Sequence, residues 1–246
     1  MPQGLNEAPH HANEQTMNSL PVSFAGTDLL ALPSGALFWP DRQLLCVSDL
    51  HLGKSERMAR RGGPILPPYE ARETLARLAD DIAAHAPAAV ICLGDSFDDL
   101  DAMQALEPGA RAQITTLMAG RRWIWIEGNH DAGPVDLGGT HLGQVSEGPL
   151  TFRHITMVGD PGEISGHYHP KARLSLRGRT LTRRCFLLDD ARLILPAYGT
   201  YTGGLFCDAP VLDALMGPEA RAILLANPPL AVPMPRGAGR AGLANT

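Results

Sequence analysis

Four places in the sequence combine side chains that hold metals or move protons: Asp49-Leu-His51, Gly94-Asp95-Ser-Phe-Asp98, Gly128-Asn-His-Asp131 and Gly166-His-Tyr-His169. Together they offer carboxylates, an amide and imidazoles but no thiolate, a donor set that suits Mn, Fe or Zn. Two divalent cations about 3.5–4 Å apart can clamp both the attacking and the leaving oxygen of a phosphoryl transfer. Such a pair needs a bridging carboxylate, further oxygens and several neutral imidazoles. It also needs one histidine kept off the metals to protonate the leaving oxygen. Each cluster alone is a weak signal, because DxH and HxH tripeptides are common in loops whose polar groups are merely solvated. Their order, the apolar run before each and the presence in them of four of the nine histidines argue for one assembled site. The glycines beside Asp95, Asn129 and His167 are expected to let the backbone turn sharply there.

The elements that must position these clusters are legible in outline. Gln43–Ser48, Ala88–Leu93 and Trp123–Ile126 are short apolar runs that stop at polar residues or glycine, the pattern of buried strands. Between them, Leu75, Leu78, Ala79, Ile82 and Ala83 follow helical spacing within Tyr69–His85, and a second helix spans Asp101–Ala119 with an interruption at Pro108-Gly109. Open α/β sheets bind ligands at the carboxyl ends of their strands, which is where the clusters fall. The second half changes to short strands over Leu150–His154, Glu163–Gly166, Leu174–Leu176, Thr180–Leu188 and Arg192–Leu195, with a further helix expected between Ala209 and Ala226. Strand–helix units followed by a meander predict an α/β fold of two sheets packed face to face with helices outside.

Composition bounds the rest. With 246 residues and 44% hydrophobic content the chain can bury a full core, and its net charge of −5 excludes a bulk cationic coat for nucleic acid. No apolar run approaches the roughly 20 residues of a membrane span. The N-terminus lacks a basic and then apolar leader, so a cytoplasmic location without a membrane partner is expected. Cys46, Cys92, Cys185 and Cys207 form no CxxC pair and read as reduced thiols, the first two in the core. Residues 1–20 are polar and aperiodic and 227–246 are rich in Pro, Gly and Ala; both read as tails flanking a domain over 21–226. Gly53-Lys54-Ser55 mimics the end of a P-loop, but the motif's first glycine would fall on Ser48.

The ordered set DxH, GDxxD, GNH[DE], a lone histidine and GHxH resembles the signature of the calcineurin-like metallophosphoesterase superfamily. The resemblance implies a four-layer fold, two mixed β-sheets packed as a sandwich flanked by helices. It implies two divalent metals, with manganese expected and iron or zinc compatible. One metal is assigned to Asp49, His51, Asp95 and His169. Asp95 bridges to a second held by Asn129, the lone histidine and His167. His130 becomes the catalytic imidazole, oriented by Asp98 or Asp131. Two histidines compete as the lone one. His141 lies in the glycine-flanked Gly138–Gly143, which has no regular pattern. His154 ends a run in which Leu150 and Phe152 alternate with it on one strand face, and a strand places an imidazole better than a loose loop, so His154 is expected.

Stretches over Ser48–Ser55, Arg60–Pro64, Leu93–Asp99, Gly162–Ala172 and Pro196–Leu205 further resemble a bacterial branch of ligase-associated DNA-damage-response endonucleases. This implies DNA as substrate, a role in DNA repair, and a ligase, helicase and exonuclease of the same system as partners. Local charge agrees: Lys171, Arg173, Arg177, Arg179, Arg183 and Arg184 lie between Ser165 and Cys185 with no acid, and Lys54, Arg57, Arg60 and Arg61 stand against a single Glu56. Lys54, Arg57, Arg60, Arg61, Lys171 and Arg173 are the expected phosphate contacts. The plainer reading of both stretches is a solvated hairpin face and a surface helix. Two rival functions remain: hydrolysis of small nucleotides or general phosphodiesters, and a partner-binding component of a repair complex with vestigial catalysis.

Overall fold

The computed structural model describes residues 18–60, 62, 69–133, 136–157, 159, 161–176 and 178–237. Its first sheet opens with a meander, β1 (Leu20–Phe24), β2 (Thr27–Ala31), β3 (Leu37–Trp39) and β4 (Leu44–Val47), paired antiparallel in that order. It then continues in parallel through β5 (Ala89–Leu93), β6 (Arg122–Ile126) and β7 (Thr140–Leu142). Helices α1 (Lys54–Arg60) and α2 (Glu70–His85) lie between β4 and β5. Helices α3 (Leu100–Ala105) and α4 (Pro108–Met118) lie between β5 and β6. The expected interruption at Pro108 is real: a proline cannot continue a helix but is preorganised to start one, and it opens α4.

The second sheet contains β8 (Gln144–Glu147), β9 (Leu150–Arg153), β10 (Glu163–Ser165), β12 (Arg179–Leu188), β13 (Arg192–Ile194), β14 (Arg221–Leu224) and β15 (Leu230–Pro233), while β11 (Lys171–Leu176) pairs with β12 as a hairpin arm. Within it β9, β10 and β13 run parallel, and the outer pairs are antiparallel. The strand alternation sorts side chains into layers. Leu44 and Cys46 of β4 join Phe152, Ile164 and Phe186 in the interior between the sheets. Leu45 and Val47 face the other way, onto Leu75, Leu78 and Ile82 of α2 and Ile114 and Leu117 of α4. Beyond the second sheet, Cys185, Leu187 and Ala222 pack on Leu212 of α5 (Pro210–Leu215). Helix, sheet, sheet, helix is the expected four-layer order.

The helix expected between Ala209 and Ala226 is α5; it stops before Gly217-Pro218, and the apolar run after Ala220 becomes β14, buried against β12. One expectation fails. The tail foreseen from Asn227 includes β15, which covers the open edge of β14. Residues 1–17, 238–246 and Arg61 lie outside the described residues. All four cysteines are free and buried, with the Cys185 and Cys207 sulfurs 3.7 Å apart. Among the described residues no helix is long and apolar enough to cross a membrane.

Candidate metal centre

Every cluster stands just past the carboxyl end of a strand. Asp49 and His51 follow β4, Asp95 and Asp98 follow β5, and Asn129, His130 and Asp131 follow β6. From the other sheet, His154 follows β9 and His167 and His169 follow β10. Because β4-β5-β6 and β9-β10 are parallel runs, their carboxyl ends share an edge of the sandwich, and the loops there brace one another. The His51 amide donates to the Asp95 carbonyl at 2.9 Å, the Gly166 amide to the His154 carbonyl at 2.9 Å, and the Gly199 amide to the Asp49 carbonyl at 3.1 Å.

That bracing holds unusual backbone. Of nine non-glycine residues with positive φ among those described, five are Asp49, His51, Asp95, His167 and His169. Each such conformation costs about 1–3 kcal/mol and survives where surrounding structure imposes it, typically at functional sites. The flanking glycines serve a different purpose from the one expected at two positions. Only Gly94 has positive φ, +73°, whereas a Cβ on Gly128 would lie 2.1 Å from the Asp95 nitrogen and one on Gly166 1.7 Å from Ser48 Oγ. There the glycine admits a neighbouring loop.

The side chains converge in two groups, Asp49–His51–His169 and Asp95–His154–His167, with the donor atoms of each group within 4.8 Å of one another. His51 Nε2 faces His169 Nε2 at 3.4 Å, and His154 Nε2 faces His167 Nδ1 at 3.3 Å, Asp95 Oδ2 at 3.3 Å and Asn129 Oδ1 at 3.0 Å. The outer nitrogens are already spoken for. His51 Nδ1 lies 3.0 Å from Asp98 Oδ1, and His154 Nδ1 donates to the Leu93 carbonyl at 2.8 Å. In the neutral ring each inner Nε2 therefore presents a lone pair to the centre. Asp49 Oδ2 accepts from Ser48 Oγ and from the His167 amide, while its buried Oδ1 faces His169 Nε2 at 3.0 Å. Lone pairs converging from imidazoles, carboxylates and an amide oxygen fit divalent cations, and the Asp49 Oδ1–His169 Nε2 approach is one that a shared cation would satisfy.

Electrostatics describes the same deficit. Burial opposes ionisation of Asp95, but His154 and the His130 amide outweigh it and hold the carboxyl at about 2. Burial likewise opposes charge on His154, yet Asp95 and Asp49 push its pKa up to about 9. His167 is depressed by burial and by the neighbouring His154. Without cations, a proton on His154 partly neutralises the carboxylates.

The assigned partners of His130 need correcting. Its Nδ1 donates to the backbone carbonyl of Asp98 at 3.0 Å, and neither carboxylate touches the ring. The Asp98 carboxylate instead joins His51 to Arg57. Asp131 is buried and accepts from the amides of Asp95, Ser96, Phe97 and Gly128, stapling the loop after β5 to the loop after β6. The His130 ring stands edge-on to His51, centroids 5.3 Å apart, beside both donor groups with Nε2 uncommitted. His141 lies on β7, its ring stacked on Trp125 at 6.4 Å rather than in the centre.

Of the expected phosphate contacts, Arg57 is bound to the buried Asp98, and the exposed Arg60 pairs with Asp99 at the surface. Lys171 and Arg173 flank the Phe206 ring on the β11–β12 arm, and Lys54 lies half-buried at the start of α1. Ser48 and the Leu93 carbonyl were not foreseen. The serine sits next to Asp49 and was readable as a cap, whereas nothing local marks the carbonyl.

Residues 42–204 match the family model for the calcineurin-like phosphoesterase. The chain belongs to this family. Among solved structures it is similar to "Crystal structure of Pseudomonas putida nuclease MPE", at 30% identity over 87% of this chain and 100% of that chain, with a TM-score of 0.66. Comparison with curated proteins finds no match. This calcineurin-like phosphoesterase is a metal-dependent hydrolase, and its two donor groups imply divalent metals.

Proposed function

We propose that this phosphoesterase is a two-metal phosphodiesterase that cuts DNA in a repair pathway, with manganese in both sites. The observation that carries the reading is the pair of converging donor groups with the His130 imidazole beside them. Asp49, His51 and His169 would hold one cation and Asn129, His154 and His167 the other, with the Asp95 carboxylate available to both. When bound, the cations neutralise the phosphate and lower the pKa of water, which the protein alone cannot do. The chain's own residues do the rest. Asp98 and the Leu93 carbonyl fix the tautomers of His51 and His154, so that their Nε2 lone pairs face inward. The Asp98 carbonyl holds His130 Nδ1–H, so that a proton on Nε2 is aimed at the leaving oxygen.

DNA as substrate is supported by the arm β11–β12, which leaves the site directly after His169-Pro170. Arg173, Arg179 and Arg183 are exposed on it, and among the described residues no carboxylate pairs with them. The similar structure is that of a protein described as a nuclease. A ligase, helicase and exonuclease remain the proposed partners. Purified protein given each divalent metal should nick supercoiled plasmid, best with manganese. Replacing Lys171 and Arg173 by Gln should weaken DNA binding and lower its salt slope by about 2, while a small chromogenic phosphodiester is hydrolysed as before. Hydrolysis of nucleotides with no nicking would favour the small-substrate reading, and inactivity in every metal a partner-binding role.

A further inference from the structure

The stretch Pro196–Leu205 plays no part in the chemistry above, yet it is tied to the metal loops at both ends. The Tyr198 amide donates to the Ser48 carbonyl at 2.7 Å, and a Cβ on Gly204 would lie 2.0 Å from the His169 carbonyl oxygen. Between those anchors Gly199, Thr200, Tyr201 and Thr202 form one wall of a pocket of about 220 Å³, completed by Glu73 and Arg77 of α2 and Arg184 of β12. Both guanidiniums are half-buried and rigidly held. Arg184 donates to the carbonyls of Ala197 (2.8 Å) and Gly199 (3.3 Å). Arg77 donates to the Tyr198 carbonyl and lies 4.8 Å above the Tyr198 ring.

Among the described residues no carboxylate makes a direct ion pair with either arginine, although Asp81, which accepts from the Tyr198 hydroxyl, feels the charge of Arg77 and Glu73 lines the same pocket. Burial and the neighbouring Arg77 even lower the pKa of Arg184. Two like charges held together with no carboxylate in direct contact are costly unless an anion completes them. Carbonyl contacts use only some of the five donors on each guanidinium, leaving forks that match the oxygens of a phosphate. The Thr200 hydroxyl on the wall, which accepts from Thr74, keeps its own proton to donate, whereas the Thr202 hydroxyl already donates to the Gly199 carbonyl.

We propose that this pocket binds a phosphate group, and that in the working enzyme it is a phosphate of the DNA other than the one being cut. The loop Gly199–Gly204 then links a recognition site to the metal centre, backing on Asp49 at one end and His169 at the other. The DNA assignment rests on the phosphodiesterase reading above, whereas the phosphate site itself does not. Glu73, exposed at the rim, opposes the anion and tempers affinity.

The test uses the full metal-loaded chain with Arg77→Gln/Arg184→Gln and Glu73→Gln. Calorimetric titration with inorganic phosphate should show one site fewer in the double variant than in the wild type, and tighter binding in Glu73→Gln, whose exposed position spares folding. KM for plasmid should rise about tenfold in the double variant, with kcat and KM for a small phosphodiester within about twofold. Equal phosphate stoichiometry in wild type and double variant, with unchanged affinity in Glu73→Gln, would overturn the site. A small substrate slowed in step with plasmid would overturn it too, by showing that the arginines merely shape the metal loops. Loss of the phosphate site with plasmid KM unchanged would overturn the DNA assignment in favour of free phosphate. A wild type that cuts no phosphodiester refutes the activity reading alone, and the phosphate titration still decides the pocket.

Discussion

His130 is held from two sides: its amide donates to the carboxylate Oδ1 of Asp95 at 2.8 Å and its ring to the backbone carbonyl of Asp98. Removing the ring leaves both donor groups whole. His130→Ala should therefore retain two metals by elemental analysis while kcat falls about 10²–10⁴-fold; loss of a metal would make it a ligand instead. His154 is different, since three donor atoms of the second group face its Nε2. His154→Ala should lose about one metal per chain and nearly all activity. His141→Ala, which trims a ring stacked on Trp125, should keep both metals.

At the scale of elements, the site depends on two parallel runs whose ends are stitched together. Asp131 is the principal stitch, and Asp131→Ala would strand four backbone amides on two loops. Unfolding in denaturant should show a loss of about 2–4 kcal/mol, with Asp131→Asn intermediate because one oxygen survives. A full-strength fold with an altered pH–rate profile would instead return Asp131 to a catalytic role. The strands that carry ligands were readable because each is an apolar run ending in a polar signature. Strands β1, β2, β3, β7 and β8 were not, being only three to five residues long and defined by their partners across the sheet. The Arg57–Asp98–His51 chain was equally hidden, for it joins residues 41 and 47 positions apart. So was the Asp131 staple, since a GNHD motif names the carboxylate without saying which amides it meets.

The whole molecule places its chemistry where two sheets of different origin meet. The first sheet contributes Asp49, His51, Asp95 and Asn129, the second His154, His167 and His169, and neither half holds a complete donor group on its own. Four-layer packing is thus a condition of the centre: the apolar interior shared by Leu93, Ile126, Phe152 and Ile164 sets the spacing between the two sets of strand ends. A net charge of −5 coexists with local cationic character on the β11–β12 arm and the Arg77–Arg184 pocket, as expected when only selected faces meet a polyanion. The central claim is that both half-sites close on metal. Anomalous diffraction at the manganese edge from crystals grown with MnCl2 tests it most directly. It should show two peaks about 3.5–4 Å apart, one among Asp49, His51 and His169 and the other among Asn129, His154 and His167, with Asp95 between them. A single peak, or peaks away from these side chains, would contradict it.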